Sequence, residues 1–282
     1  MNTWRFLITP AERGAWNMAV DETILEHIRR GDSLPTLRLY AWEPACLSLG
    51  HAQPLADVDR ARLKERGWEV VRRLTGGRAI LHTDELTYSV IGSAKDPVLA
   101  GSVLESYNRL AQALLLAVRS LELPVEMKDA QHVGHASREA PPKGGSVTHA
   151  NPVCFEVPSS YEIMVGGKKL IGSAQARKKE IVLQHGSLPL TGDLTRICQA
   201  LVFENESARA QAAQRLLARA TTVESALGRA VAWETAAQAF IHAFETQLGL
   251  CFERGELSDS ESNRAEELVR EKYDHPSWTE RV

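Results

Sequence analysis

The segment NPVCFEVPSSYEIMVGGKKLIGSAQ, residues 151–175, places one cysteine, Cys154, shortly before a hairpin-like stretch that returns two lysines, Lys168 and Lys169. A thiol beside an ammonium is drawn toward thiolate, the form that attacks an acyl carbonyl. Gly166-Gly167 is a two-residue turn signal that calls for positive φ. Glu162 and Lys169 stand about equally far from that turn, which puts Lys169 on the strand paired with the first. The plain alternative is a small, buried and inert Cys154, the usual state of an isolated cysteine. Cys46, in PACLSLG, and Cys198 and Cys251 lie in apolar contexts and are expected in the core. No two cysteines fall within four residues, so a CxxC zinc or redox motif is excluded.

A second candidate is RRLTGGRAILH, residues 72–82. Adjacent glycines let backbone N–H groups come close to a ligand, and successive N–H groups can form an anion nest. Arg72, Arg73 and Arg78 add positive charge around Gly76-Gly77, which suits phosphate, carboxylate or a developing oxyanion. On spacing alone the simpler reading leads: a strand, a hairpin turn with solvated arginines, and a second strand. The segment is neither a P-loop nor a dinucleotide fingerprint. His132, His135 and His149 are numerous enough for zinc. They sit in a polar stretch without an ordered fourth ligand, so solvated histidines are expected, and no metal. His82 and His185 each end or interrupt an apolar strand beside a glycine or polar turn. Each is open to two readings, a pocket wall or a satisfied edge residue.

The elements that must position these residues follow from periodicity. WNMAVDETILEHIRRG reads as a first helix with Met18, Ile24, Leu25 and Ile28 on one face and Gly31 as its stop. TLRLYAW alternates Leu37, Leu39 and Ala41 against Arg38 and Tyr40, as a half-buried strand does, and ACLSLG reads as its neighbour. ELTYSVIG and IVLQHGSLPL are further strands. Ser102 and Glu105 form a capping box before a helix carrying Leu110, Leu114 and Val118, and Ser258 with Glu261 form another. KDAQHVGHASREAPPKGGSVTHA, residues 128–150, reads as a long polar loop running into Cys154. Beyond Thr191 the chain turns mostly helical. These 282 residues, 44% hydrophobic and 24% charged, can bury a sizeable core. A net charge of -3 gives no pull toward nucleic acid. No apolar run approaches a membrane span, and no signal region opens the chain, so a reduced, cytoplasmic protein is expected.

Five segments in order, WNMAVDE, LRLYAWEPACLSLGHAQ, VVRRLTGGRAILHTDELTYSVI, VCFEVPSSYEIMVGGKKLIGSAQARKK and LQHGSLPL, resemble the superfamily of lipoate-protein ligase A, octanoyltransferases and biotin-protein ligases. The match spans roughly residues 4–250 and is nearest to the LipM-type octanoyl-[acyl-carrier-protein]:protein N-octanoyltransferases. That resemblance implies a mixed α/β catalytic domain over residues 1–250, with a largely antiparallel sheet flanked by helices, and a helical extension over 251–282. It implies Cys154 and Lys169 as catalytic residues, and Arg73, Gly76, Gly77, Arg78, His82, Gly172 and His185 around the substrate. The implied partners are octanoyl-acyl carrier protein as donor and the glycine cleavage H protein or another lipoyl domain as acceptor, without nucleic acid, membrane or cofactor. The alternatives are an ATP-dependent lipoate-protein ligase, an octanoyl amidotransferase drawing on H protein, and a non-catalytic binding protein. Only the octanoyltransferase and amidotransferase readings require Cys154; the ligase uses the same glycines and the same lysine.

Overall fold

The computed structural model describes residues 2–128 and 162–282. The expectations placed on Cys154, on His132, His135 and His149, and on the loop before Cys154 lie outside the described residues. Eleven strands and nine α-helices are described, and they form two sheets and three apolar clusters. The large sheet holds β1 (Asn2–Ile8), β2 (Thr36–Tyr40), β6 (Glu85–Ser93), β7 (Val125–Lys128), β8 (Glu162–Val165), β9 (Lys168–Lys178), β10 (Ile181–Pro189) and β11 (Leu250–Arg254). Its order is β11-β1-β2-β6-β10-β9-β8-β7. Only β1 with β11 and β1 with β2 pair in parallel, so the sheet is mixed and largely antiparallel, as expected.

Helices cover both faces. Leu37, Leu39, Tyr88 and Val90 pack with α3 (Val103–Ser120) and α7 (Trp233–Leu248) through Leu110, Leu114, Phe240 and Phe244. Tyr40, Ile91 and Leu183 pack on the other side with α1 (Gly14–Arg30) and α8 (Asp259–Leu268) through Met18, Ile24 and Leu268. This double cover corrects the half-buried reading of TLRLY: all five residues are buried, Arg38 included. Arg38 lies under α1, where Asp21 supplies its counter-charge at 2.8 Å. The predicted helix limits hold: α1 ends at Gly31 with φ +86°, and both capping boxes form.

Three other expectations change. CLSL is not the neighbour of β2; as β3 (Cys46–Leu49) it lies between β4 (Glu69–Arg72) and β5 (Ile80–His82) in a separate three-stranded sheet. Gly76-Gly77 therefore closes no hairpin, because β4 and β5 flank β3 on opposite sides and do not pair with each other. The β8–β9 turn at Gly166-Gly167 does form with both φ positive, but Lys169 faces Met164, with a register shift at Ile163/Met164, so Glu162 is not its partner. Cys46 and Cys198 are buried as expected; Cys251 is exposed, on edge strand β11, which pairs on one side alone. Residues 250–254 thus extend the main sheet beside β1, and α8 returns onto α1.

Candidate functional site

Strand ends of both sheets converge on one cavity of about 460 Å³, open solvent at its mouth included. Met18, Tyr40, Trp42 and Ile80 supply apolar walls, and Gly172, Ala174 and Gly186 leave room along β9 and β10. Those strands pair Gly186 with Ser173 and His185 with Ala174. A Cβ on Gly186 would lie 2.6 Å from both the Gly172 carbonyl oxygen and Tyr88, so only glycine fits that floor.

Two histidines stand at this cavity, each between an acid and a hydroxyl. His82 Nδ1 lies 2.5 Å from Glu85 Oε1, and its Nε2 lies 2.7 Å from Ser48 Oγ. A carboxylate only accepts, so Nδ1–H donates to Glu85 and Nε2 is left to accept from Ser48. Ser48 Oγ in turn accepts from Arg73 Nη1 at 3.1 Å. Trp42 stacks on the His82 ring at 3.9 Å and donates to Thr87, whose hydroxyl donates to Glu85. Burial pushes the Glu85 carboxyl up, but His82 and the hydroxyl donors outweigh it and hold the group below its usual range. The second chain runs from Thr75 Oγ1, 2.6 Å from His185 Nε2, to Asp21, whose Oδ2 lies 3.6 Å from His185 Nδ1. Asp21 also accepts from Arg38, Tyr40 and Ser89. Burial works against its charge, yet His185 and Arg38 bring its pKa below the ordinary value. Burial lowers the pKa of His185, with Asp21 opposing, so a neutral ring is favoured.

Two of the three arginines of RRLTGGR are not solvated, and Arg78 is half-buried. Arg72 and Arg73 are 0% and 3% exposed, and both donate to main-chain carbonyls. Arg73 holds Ser48 O at 2.8 Å, Gly76 O at 2.9 Å and Arg78 O at 2.7 Å, which folds the glycine loop around one guanidinium. Arg72 holds Gly50 O, Gln53 O and Thr279 O. Gly77 has φ +94°, and a Cβ on Gly50 would stand 2.0 Å from the Gly77 oxygen. Of the expected substrate residues, Arg73, Gly77, His82, Gly172 and His185 line the cavity, while Gly76 and Arg78 sit on the loop beside it. Lys169 is buried on β9, three residues before Gly172, and its carbonyl accepts from Thr221 N. Sequence reasoning missed Ser48, Glu85, Asp21, Thr75 and Trp42. The only local signal was polar residues inside apolar strands and helices, which by itself names no partner.

The model of the lipoyl protein ligase A/B catalytic domain matches residues 13–245. The chain belongs to that family. It is 42% identical over 284 residues to octanoyltransferase LipM of Moorella thermoacetica, covering 99% of this chain and 98% of that one. It is 38% identical to octanoyltransferase LipM of Exiguobacterium sibiricum, covering 98% and 97%. Among solved structures, the fold is similar to a bi-partite lipoate protein ligase of Thermoplasma acidophilum, with TM-score 0.79, 22% identity, and 99% and 97% of the two chains covered. A lipoate-protein ligase A bound with ATP superposes with TM-score 0.75 and 23% identity over 99% and 98%. These two likenesses establish the shared fold. No described helix is long and apolar enough to cross a membrane, and the described residues contain no cluster of three or more metal-ligating side chains.

Proposed function

We propose that this protein is a cytoplasmic octanoyltransferase of protein lipoylation. It takes octanoyl from the phosphopantetheine thioester of acyl carrier protein onto Cys154, then passes it to one lysine of a lipoyl-accepting protein such as the glycine cleavage H protein. The observation that carries this reading is full-length similarity, at 36–42% identity, to octanoyltransferases. The apolar cavity supports it. At about 0.8 kcal/mol per buried CH₂, an enclosed eight-carbon tail contributes several kcal/mol of binding.

In the first step the Cys154 thiolate adds to the thioester carbonyl. The tetrahedral oxyanion collapses, the bond to the pantetheine sulfur breaks, and that sulfur leaves as a thiolate that takes up a proton. In the second, the neutral acceptor amine adds to the acyl-cysteine. The C–N bond forms, the C–S bond breaks, the nitrogen proton passes to a base, and Cys154 returns as thiolate. The Lys169 ammonium suits the thiolate and each oxyanion. His82, oriented by Glu85, has the acceptor nitrogen that the second step needs.

The test is intact mass spectrometry after incubation with octanoyl-acyl carrier protein. One octanoyl group is expected per wild-type chain and none on Cys154→Ala, with acceptor modification abolished in the variant. An unlabelled wild type that still modifies the acceptor would sink the reading. Because the fold is shared with a ligase that binds ATP, the same assay runs with ATP and lipoate; modification that survives Cys154→Ala would make the protein a ligase. Octanoyl-H protein as an alternative donor separates the amidotransferase.

A further inference from the structure

The acyl cavity and a second recess, of about 760 Å³ with open solvent included, lie end to end on one face of the main sheet. Residues two apart on a strand share a face, and both spaces draw on the same two strands. On β10, Ser187 and His185 line the cavity and Leu183 the recess; on β9, Gly172 and Ala174 line the cavity and Ala176 the recess. Two more elements run along both. Helix α1 gives Met18 to the cavity and, two turns on, Leu25 to the recess. The loop after β4 gives Gly77 to the cavity and Leu74 to the recess. Where the two spaces meet, each of three elements supplies a buried polar residue: Asp21 from α1, Thr75 from the loop and His185 from β10. These three are joined. Thr75 Oγ1 lies 2.6 Å from His185 Nε2, and His185 Nδ1 lies 3.6 Å from Asp21 Oδ2. Neither flank can draw back, because His51 N donates to Thr75 O at 2.8 Å and Arg38, Tyr40 and Ser89 donate to Asp21. Behind this septum the surface is apolar again, with Leu25, Leu74, Leu183 and the Trp278 ring. A septum of leucines yields to a longer ligand by changing rotamers. A hydrogen-bonded one yields only by leaving buried polar groups unpaired.

We propose that Thr75, His185 and Asp21 are the end wall that limits the acyl chain to octanoyl length, and that the recess behind them is the space a longer chain enters once the wall is removed. The proposal rests on the octanoyltransferase reading for the direction of the chain. With the reacting carbonyl between Lys169 and His82, the tail points along β9 toward Ala174 and its partner His185. Glu85, which orients His82, pairs with Pro189, so it stands at the Lys169 end of β10 and not at the recess end. From Lys169 to Ala174 the strand rises about 16 Å, a length that a lysine side chain and an extended octanoyl chain together span. A longer chain has to push the imidazole off Thr75 and Asp21. Burial of one or two further methylenes does not repay those unpaired groups. The wall meets the methyl end of the chain and takes no part in the transfer, so its three residues determine specificity alone.

The rate of Cys154 labelling by octanoyl-, decanoyl- and dodecanoyl-acyl carrier protein, followed by intact mass spectrometry, tests the wall. Wild type is expected to take dodecanoyl about a hundredfold more slowly than octanoyl. His185→Ala is expected to raise the dodecanoyl-to-octanoyl ratio about tenfold or more, and His185→Gln, which keeps a hydrogen-bonding group in place, to leave it near the wild-type value. Ala176→Leu narrows the recess. Alone it is expected to leave octanoyl transfer unchanged, and combined with His185→Ala to return the ratio to that of wild type. Equal labelling of wild type by the two donors, or a folded His185→Ala with the wild-type ratio, overturns the wall. A gain that Ala176→Leu does not remove overturns the assignment of the recess. If His185→Ala does not fold, Thr75→Ala, which takes away the hydroxyl and leaves the ring, is expected to raise the ratio about fivefold, and an unchanged ratio overturns the wall. Calorimetric titration of free octanoate and decanoate into the same proteins needs no thiol. A wild-type preference for octanoate that His185→Ala abolishes upholds the wall even where no donor labels Cys154 and the transferase reading falls; equal binding of the two acids by wild type overturns it.

Discussion

Ser48 Oγ joins the glycine loop to the histidine that faces the acyl cavity, because it accepts from Arg73 and is within 2.7 Å of His82 Nε2. The chain of donors reaches Glu85, which has to be an acceptor for the His82 ring to keep its orientation and tautomer. Glu85→Gln keeps the shape but adds an amide donor that can turn toward Nδ1 and exchange the roles of the two ring nitrogens. Transfer to the acceptor lysine is expected to fall at least tenfold in this variant, while labelling of Cys154 by the donor is less affected. Single-turnover rates of the two half-reactions check this; equal slowing of both would assign Glu85 to packing. The Glu85 carboxylate also has a pH signature. The folded-state pKa of Glu85 is depressed. Its contribution to stability is therefore present above the ordinary carboxylate range and is lost as pH falls through the folded value. Glu85→Gln is expected to flatten that acid limb in thermal melts across pH, and a limb unchanged in the variant would remove Glu85 as its source.

The loop that carries Gly76 and Gly77 depends on a third strand that local sequence does not announce. Adjacent strands around a Gly-Gly pair suggest a hairpin, and arginines at a hairpin tip suggest solvent. The strands instead flank β3, and the loop crosses over Gly50 with its carbonyl so close that a methyl group has no space. Arg72 and Arg73 are then needed as internal donors, since the crossing leaves several carbonyls without strand partners. Period and capping made α1, α3 and α8 legible, because those signals are local. Which strands pair, and which faces are covered twice, depends on contacts far apart in sequence. That is why TLRLY read as half-buried and Ser48 went unnoticed. Gly50→Ala tests the crossing. The Gly77 carbonyl must move, so transfer is expected to fall about a hundredfold and the melting temperature by several degrees, roughly 2–3 kcal/mol of stability. A folded Gly50→Ala with wild-type rates would show that the loop tolerates displacement.

Chain ends tie the two sheets and their helices into one body. The C-terminal segment reaches the end of β4, where Thr279 O and Trp278 O accept from Arg72 and Trp278 Nε1 donates to Arg72 O. At the other end of the sheet, Arg5 of β1 forms a two-pronged pair with Glu261 of α8, at 2.7 and 2.9 Å. Glu261 also accepts from Ser33 and from Ser258 N, the N-cap of its own helix. Burial opposes its charge, but these donors together bring its pKa down from 4.5 to about 2. The sign follows from the depressed value: the contribution is complete above about pH 4.5, shrinks as protons bind the unfolded chain first, and is gone near pH 2. Replacing Glu261 with Gln leaves Arg5 with one neutral acceptor in place of a bidentate carboxylate and weakens the capping box at the same point. A melting temperature lowered by about 5 °C at neutral pH is expected. The gap to wild type should narrow as pH is taken from 5 toward 3. A gap that stays constant over that range would assign the loss to the cap alone, and an unchanged melting temperature would show that β1 and α8 hold together through their apolar contacts without the ion pair.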